Sequence, residues 1–221
     1  MALAEAFAIP LDAPAAHWAH ALPAAVTDVF DKITRAGLGG TWFALAGLGI
    51  LCGILAPRAS ARRRAAFTET GRRGWYLLAS VGLSGLAVQA VKHLVGRERP
   101  WAALDVGPHV FAPLNFDGKY ASFPSGHTTT AFAVAASIGL MAPRLRPWLA
   151  AGAIVVGASR VIVLAHWPSD VVAGAFLGAG TAYALAFVFA RRGLVFVREG
   201  TTLAPAAPGI GARALRATPA A

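Results

Sequence analysis

The stretch "GLGGTWFALAGLGILCGILA", residues 37–56, carries no charged residue. At about 1.5 Å per residue, a helix of this length spans about 30 Å, the thickness of the hydrocarbon layer of a bilayer. Four further runs with few or no charges follow, at residues 75–95, 125–142, 147–165 and 171–190. Together these runs predict an all-α, polytopic membrane helix bundle with about five transmembrane helices.

The composition agrees with a membrane protein. Of the 221 residues, 57% are hydrophobic and only 14% are charged, whereas about a quarter of a soluble domain is charged. The net charge is +10, but no basic stripe is interleaved with aromatic residues, so we expect membrane lipids and no nucleic acid as partners. The single cysteine, Cys52, excludes an internal disulfide. The sequence does not determine the oligomeric state.

The chain divides into three parts around these runs. Residues 1–36 contain no spanning run, but residues 25–35 place Val26, Val29, Phe30 and Ile33 on one helical face. This pattern predicts an amphipathic helix that either lies along the membrane surface or packs against the bundle. Residues 37–192 form the predicted transmembrane domain. Residues 193–221 are predicted to be a disordered tail, since the segment from Gly200 is rich in Ala, Pro and Gly.

The charges of the connecting segments predict the orientation. Six arginines lie between the first two runs, in residues 57–74, and further arginines follow the third and the fifth runs. The positive-inside rule assigns these segments and the C-terminus to the cytoplasm. Residues 96–124 and 166–170 then face the outside. We therefore expect a multi-pass protein of the cell (inner) membrane whose outer, periplasmic face carries residues 96–124.

Three cations and a tight turn on this outer side predict a phosphate site. Lys92, Arg99 and Arg160 would repel one another without a polyanion between them, and charged groups at membrane depth are costly. The planar fork of arginine suits phosphate oxygens. The sequence "PSGH", residues 124–127, opens the third run with a proline and a capping serine, Ser125, and Gly126 lets the backbone approach a ligand.

Two histidines would flank that phosphate. His166 has a carboxylate four residues later, and Pro168 is expected to start a helix with Asp170 in its first turn. An aspartate that accepts from Nδ1–H leaves Nε2 free as a nucleophile. His127 has no acid nearby in the sequence, which fits a general acid for the departing oxygen. No ligand spacing typical of a metal site is present, so no metal and no cofactor are expected.

These three motifs resemble those of the type 2 phosphatidic acid phosphatase (PAP2) superfamily, which includes the vanadium haloperoxidases. The family pattern K-x6-R-P, P-S-G-H and S-R-x5-H-x3-D is matched at residues 92–100, 124–127 and 159–170. The resemblance implies a phosphohistidine on His166, oriented by Asp170, with His127 as the acid and then the base. It also implies phosphate binding by Lys92, Arg99, Ser125, Gly126 and Arg160.

The function expected from the resemblance is a metal-independent membrane lipid phosphatase. Candidate substrates are undecaprenyl diphosphate, lipid A phosphate, phosphatidylglycerophosphate and phosphatidate, and the shared motifs do not choose among them. A phosphotransferase that uses the same site is the alternative. A non-catalytic anion-binding protein or transporter is favoured less, because the charges cluster at one face and no inverted repeat is present. The haloperoxidase branch is soluble, which argues against it here.

Two predictions concern the residues around the motifs. Arg97 and Glu98 are expected on a solvated face, although Arg97 could assist an anionic head group. Residues 101–123 form a long connection, and such connections are often functional. We expect this loop to cover the site, with Lys119 and Tyr120 as candidate contacts for the head group.

Overall fold

The computed structural model describes residues 9–199 and 202–206. This part of the chain is mostly helical, which confirms the predicted all-α class. Four 3-10 turns lie at Arg35–Gly37, Ala56–Arg58, Gly118–Tyr120 and Pro143–Leu145. The helices, in chain order, are α1 (Asp12–His20), α2 (Ala24–Thr34), α3 (Gly39–Leu55), α4 (Ala61–Val95), α5 (Pro100–Ala103), α6 (Gly126–Met141), α7 (Arg146–Ile162) and α8 (Pro168–Arg191).

Four segments of the described chain are long and apolar enough to cross a membrane. They are Ala24–Arg58, which contains α3, and the segments Ala61–Val95, Pro143–Ile162 and Pro168–Arg191. The remaining predicted run, residues 125–142, corresponds to helix α6, whose 16 residues are about 24 Å long. Helix α6 packs against α4, α7 and α8, and nine of its residues are buried. The short helix therefore forms the centre of the bundle.

Helix α4 is longer than its predicted membrane run. Its 35 residues extend over about 52 Å, so it exceeds the hydrocarbon thickness by more than 20 Å. The Arg-rich stretch that the sequence treated as a connecting segment is helical from Ala61 onward, with an ion pair of 2.9 Å between Arg73 and Glu69 one turn apart. The arginines and Lys92 consequently lie at opposite ends of one helix.

Glycines set the closest helix contacts. A Cβ atom built on Gly53 of α3 would lie 2.7 Å from the Cα atom of Gly71 of α4, and one on Gly174 of α8 would lie 2.6 Å from the carbonyl oxygen of Ser125. Small residues at such crossings let helix backbones approach in a membrane. The contact at Gly174 brings the start of α8 against the start of α6, where the predicted site residues lie.

The segment after α8 corrects one prediction. The sequence predicted disorder from residue 193, but β1 (Phe196–Glu199) and β2 (Thr202–Pro205) form an antiparallel hairpin. Val195 and Phe196 are buried against Tyr76, whose ring meets that of Phe196 edge-on at a centroid distance of 4.9 Å. Burial of these apolar side chains orders the segment. The rest of the predicted tail, residues 207–221, lies outside the described residues.

The N-terminal segment packs against the bundle. Helix α2 covers the predicted amphipathic stretch and contacts α7, while α1 contacts α7 and α8. Ala16 and Ala19 of α1 are buried, and Ala16 packs with Ala103 and Trp167. The contact with α7 agrees with packing against the bundle, one of the two possibilities for residues 25–35; a position along the membrane surface stays a prediction.

Candidate active site

Lys92 and Arg99 flank the end of α4. Gly96 closes the helix with φ = +61°, and its N–H donates to the carbonyl of Lys92 at 2.8 Å. A side chain at Gly96 would collide with the carbonyl of Ala112, so only glycine fits this turn. The Lys92 ammonium donates to the carbonyl of Ala121 at 2.6 Å, and Lys92 is 7% exposed.

Arg99 joins two neighbouring segments of the backbone. Its Nε donates to the carbonyl of Gly118 at 2.9 Å, and its Nη1 donates to the carbonyl of Ala165 at 3.2 Å. Burial lowers the pKa of the Arg99 guanidinium, whereas the nearby Asp170 carboxylate raises it. The arginine thereby fastens the loop before α6 to the residue that precedes His166.

The PSGH turn opens α6 as the sequence predicted, but with a different serine contact. Ser125 is the extended residue before the helix, and its N–H donates to the carbonyl of Asp170 at 3.0 Å. Its hydroxyl makes no capping bond to a backbone N–H and instead accepts from the Thr128 hydroxyl at 2.9 Å. Ser125 is fully buried. The backbone bond to Asp170 fixes the start of α6 against the start of α8.

The end of α7 places Arg160 and His166 together. The N–H groups of Ala165 and His166 both donate to the carbonyl of Arg160, at 3.0 and 3.1 Å, and Leu164 adopts φ = +55° in this reversal. Nη1 of Arg160 donates to the hydroxyl of Thr34 at 2.9 Å. Nε of Arg160 and Nδ1 of His166 are buried and have no hydrogen-bond partner among the described residues. A buried arginine donor such as Nε of Arg160 is typical of a site that binds an anion.

Asp170 accepts hydrogen bonds through both of its carboxylate oxygens. Helix α8 begins at Pro168, so Asp170 lies in its first turn, in agreement with the prediction. Oδ2 accepts from the N–H of Trp167 at 2.9 Å and from the hydroxyl of Ser122 at 2.5 Å. The distance from Oδ2 to Nδ1 of His166 is 3.6 Å. The two side chains are therefore adjacent, but this separation is longer than a hydrogen bond.

Arg97 contradicts the prediction of a solvated face. It is fully buried, and its Nη1 lies 2.6 Å from Oδ1 of Asp170 while its Nη2 lies 2.8 Å from Oδ2 of Asp12. Its guanidinium also lies 5.6 Å from the ring of Trp167. Paired carboxylates compensate the burial of the cation.

Glu98 is buried too and forms an ion pair of 2.6 Å with Lys119.

The long loop covers the site mainly through its backbone. The carbonyls of Gly118 and Ala121 bind Arg99 and Lys92, and the hydroxyl of Ser122 binds Asp170. Lys119, one of the two predicted head-group contacts, is paired with Glu98 and lies 5.3 Å from the ring centroid of Tyr120, the other one. Ser122 is a site contact that the sequence analysis missed.

His166 has the electrostatics of a neutral imidazole. It lies in the link between α7 and α8 and is 2% exposed. Burial and the charges of Lys92 and Arg99 lower its pKa, the Asp170 carboxylate raises it, and the net effect is a pKa of about 3. A neutral imidazole keeps a lone pair available for nucleophilic attack at physiological pH.

His127 connects the cationic centre with an apolar groove. The charges of Arg160, Lys92 and Arg99 all act on its half-buried ring. Gly37 packs so closely on His127 that an added Cβ would lie 2.9 Å from its Cβ. The groove of about 440 Å³ starts at Gly126 and His127 and runs between α3 and α4, and its other lining residues include Leu38, Phe43, Gly82, Gly85, Leu86 and Val88.

The three motifs thus meet at one end of the bundle, and comparison with known proteins identifies their family. The family model of the PAP2 superfamily matches residues 73–193, more than half of the chain and all three motifs. The chain belongs to the PAP2 superfamily. Together with the four apolar segments, this membership identifies a membrane protein. Among the described residues, no group of three or more His, Cys, Asp or Glu side chains could hold a metal ion.

Two curated relatives are similar over the same region. The chain is 43% identical over 137 residues to a lipid A 1-phosphatase of Rhizobium johnstonii. The aligned region covers 62% of this chain and 56% of the relative. It is also 41% identical over 137 residues to a lipid A 1-phosphatase of Rhizobium etli. That aligned region covers 62% of this chain and 59% of the relative. The matched region therefore spans somewhat more than half the length of each relative.

A solved structure shares the fold. The transmembrane PAP2-type phosphatidylglycerolphosphate phosphatase of Bacillus subtilis superposes with a TM-score of 0.61 at 22% identity, over 86% of this chain and 91% of that one. At this level of identity the similarity concerns the arrangement of the helices. It agrees with the predicted polytopic bundle.

Proposed function

We propose that this PAP2 protein is a membrane lipid phosphatase that acts through a phosphohistidine on His166. The observation that carries the proposal is the convergence of Lys92, Arg99 and Arg160 around two histidines. Nε of Arg160 is buried there with no hydrogen-bond partner among the described residues. A tetrahedral phosphoryl group would satisfy these donors and balance the cations.

The proposed reaction has two balanced steps. Nε2 of His166 attacks phosphorus, and the bond between phosphorus and the lipid oxygen breaks while His127 gives that oxygen a proton. Water then attacks phosphorus and gives a proton to His127, the phosphorus–nitrogen bond breaks, and inorganic phosphate leaves. Asp170, 3.6 Å from Nδ1, favours the tautomer whose proton lies on Nδ1 and stabilises the positive charge of the phosphorylated ring.

The apolar groove supports a lipid as the leaving group. It begins at His127, the proposed acid, so the departing oxygen and the chain attached to it would lie at the same place. Its volume of about 440 Å³ lies within the range of known ligand pockets. A soluble phosphate ester has no apolar chain that could cover this surface.

Among the four candidate lipids, we favour lipid A phosphate. The support is that the relatives with 43% and 41% identity over 137 residues are both lipid A 1-phosphatases. A phosphotransferase remains the second candidate, because the same intermediate would pass its phosphoryl group to an acceptor other than water.

The proposed orientation puts the site on the outer, periplasmic face of the inner membrane. The arginines at the start of α4 and Lys92 near its end lie at opposite ends of that helix. Positive residues favour the cytoplasmic side. We propose residues 37–192 as the catalytic domain. The segment after the last helix also carries arginines, so the C-terminus would be cytoplasmic.

The decisive test is phosphate release by the purified protein from lipid A and the three other lipids, with EDTA present. The matched variants are His166→Ala and His109→Ala, since His109 is an exposed histidine of the loop near the site. We expect release by the parent and by His109→Ala, and none by His166→Ala. Equal release by all three proteins would overturn the role of His166. Phosphate found on an added acceptor instead of in solution would favour the phosphotransferase.

A further inference from the structure

A buried carboxylate outside the matched family region is bonded to the catalytic centre. Asp12 is the first residue of α1 and is fully buried. It precedes the start of the family match by about 60 residues. Its Oδ1 accepts from the N–H of Ser169 at 2.9 Å, and its Oδ2 accepts from the hydroxyl of Ser169 at 2.6 Å. Asp12 thus contacts the residue next to Asp170.

Arg97 connects Asp12 directly with Asp170. One guanidinium nitrogen, Nη2, binds Asp12 at 2.8 Å, and the other, Nη1, binds Oδ1 of Asp170 at 2.6 Å and the hydroxyl of Ser169 at 2.7 Å. The guanidinium is rigid and planar, and each of its two ends binds one carboxylate. A shift of one carboxylate would therefore move the other. Arg97, one of the groups that hold Asp170, is thus held in turn by Asp12 and by the carbonyl of Pro108, to which its Nε donates at 3.0 Å.

The N-terminal segment makes further contacts with the site. The hydroxyl of Thr34, at the end of α2, accepts from Nη1 of Arg160 at 2.9 Å, and Thr34 is 4% exposed. Gly37 packs against His127. The residues that precede α3 thus touch the aspartate network, the cation Arg160 and the proposed acid His127. The way this segment packs therefore affects the placement of the site residues as well as the fold.

We propose that Asp12 is a positioning residue for catalysis, acting through Arg97 on Asp170 and hence on His166. The proposal rests on the proposed function. Removing the carboxylate charge of Asp12 frees one side of the Arg97 fork and lets Asp170 move relative to the imidazole. Misplacement of a catalytic group by about 1 Å can lower a rate by about a hundredfold. Substrate binding, which depends on other groups, remains the same.

The experiment compares Asp12→Asn and Asp12→Glu with Asp28→Asn in the full-length chain. Asp28 is an exposed aspartate of the same N-terminal segment and serves as the matched control. We expect kcat for lipid phosphate to fall roughly 10- to 100-fold in Asp12→Asn with little change in KM. The decrease should be smaller in Asp12→Glu, which retains the carboxylate. Asp28→Asn should match the parent.

A second arm separates positioning from loss of folded protein. Asp12→Asn is combined with Asp170→Asn, and kcat is normalised to the protein that elutes as a single species. If Asp12 acts through Asp170, adding Asp12→Asn to Asp170→Asn should change kcat by less than about twofold. Effects that multiply would overturn the proposal, as would an unchanged kcat in folded Asp12→Asn. Failure of the proposed function itself would appear separately, as no phosphate release by the parent.

Discussion

Nδ1 of His166 lies 3.6 Å from Oδ2 of Asp170, while that oxygen accepts hydrogen bonds from the N–H of Trp167 and the hydroxyl of Ser122. The second oxygen, Oδ1, pairs with Arg97. The carboxylate is therefore fixed by its other neighbours and does not depend on the imidazole for its position. A carboxylate held in this way can orient and polarise a histidine while keeping its own position when the imidazole moves.

Loss of the Asp170 charge should slow the reaction. In Asp170→Asn the side chain keeps its size, but the negative charge proposed to stabilise a phosphorylated imidazole is absent and the amide can favour the wrong tautomer. We expect kcat to fall by about a hundredfold or more, measured as phosphate release at saturating lipid. Asp105→Asn, an exposed aspartate of the loop near the site, should leave kcat unchanged. A decrease below tenfold would argue against a role for the Asp170 charge.

The stability of the protein should decrease in acid because of His166. Its pKa is about 3 in the folded chain and about 6.5 in an unfolded one. Between these values the unfolded state binds a proton that the folded state excludes, so stability falls as the pH falls through this window. Thermal unfolding between pH 7 and pH 4 should show a smaller decrease for His166→Gln than for the parent. Parallel curves would contradict the prediction.

Filling the groove should impair lipid substrates selectively. Gly85 lines the groove, and a Cβ built there meets no atom within 4 Å, so Gly85→Leu should fold while blocking the space. We expect KM for lipid phosphate to rise about tenfold and activity on a small soluble phosphate ester to stay unchanged. Gly47→Leu is the control, because Gly47 is an exposed glycine of α3 that does not line the groove. Equal effects on both substrates would exclude the groove as the lipid-binding surface.

The hairpin should stabilise the fold without affecting catalysis. Phe196 is fully buried against Tyr76, and helix α8, about 36 Å long, separates this end of the bundle from the site. Phe196→Ala should lower the free energy of unfolding by about 3–5 kcal/mol and leave kcat of the folded enzyme unchanged. Phe187→Ala removes a 41% exposed ring of α8 and should cost much less. An unaltered unfolding transition in Phe196→Ala would contradict the packing.

Much of the site could be predicted because its chemistry is written in local spacing. Lys92 and Arg99 bracket the end of one helix, PSGH starts another, and His166 and Asp170 are four residues apart across a helix start. The expected roles of these residues stay predictions until they are tested. The prediction for Arg97 was wrong because a charge next to a motif is usually solvated, and nothing local indicates that two distant carboxylates surround it.

The sequence by itself determined the helical membrane class and the residues of the three motifs, because both follow from hydrophobic run length and from residue spacing along the chain. Only the tertiary structure decided that Asp12 meets Ser169, 157 positions away, and that Thr34 meets Arg160. It also decided that residues 196–199 pair with residues 202–205 and pack against α4. Contacts of this kind leave no periodic signal, since they depend on how the helices pack after the chain has folded.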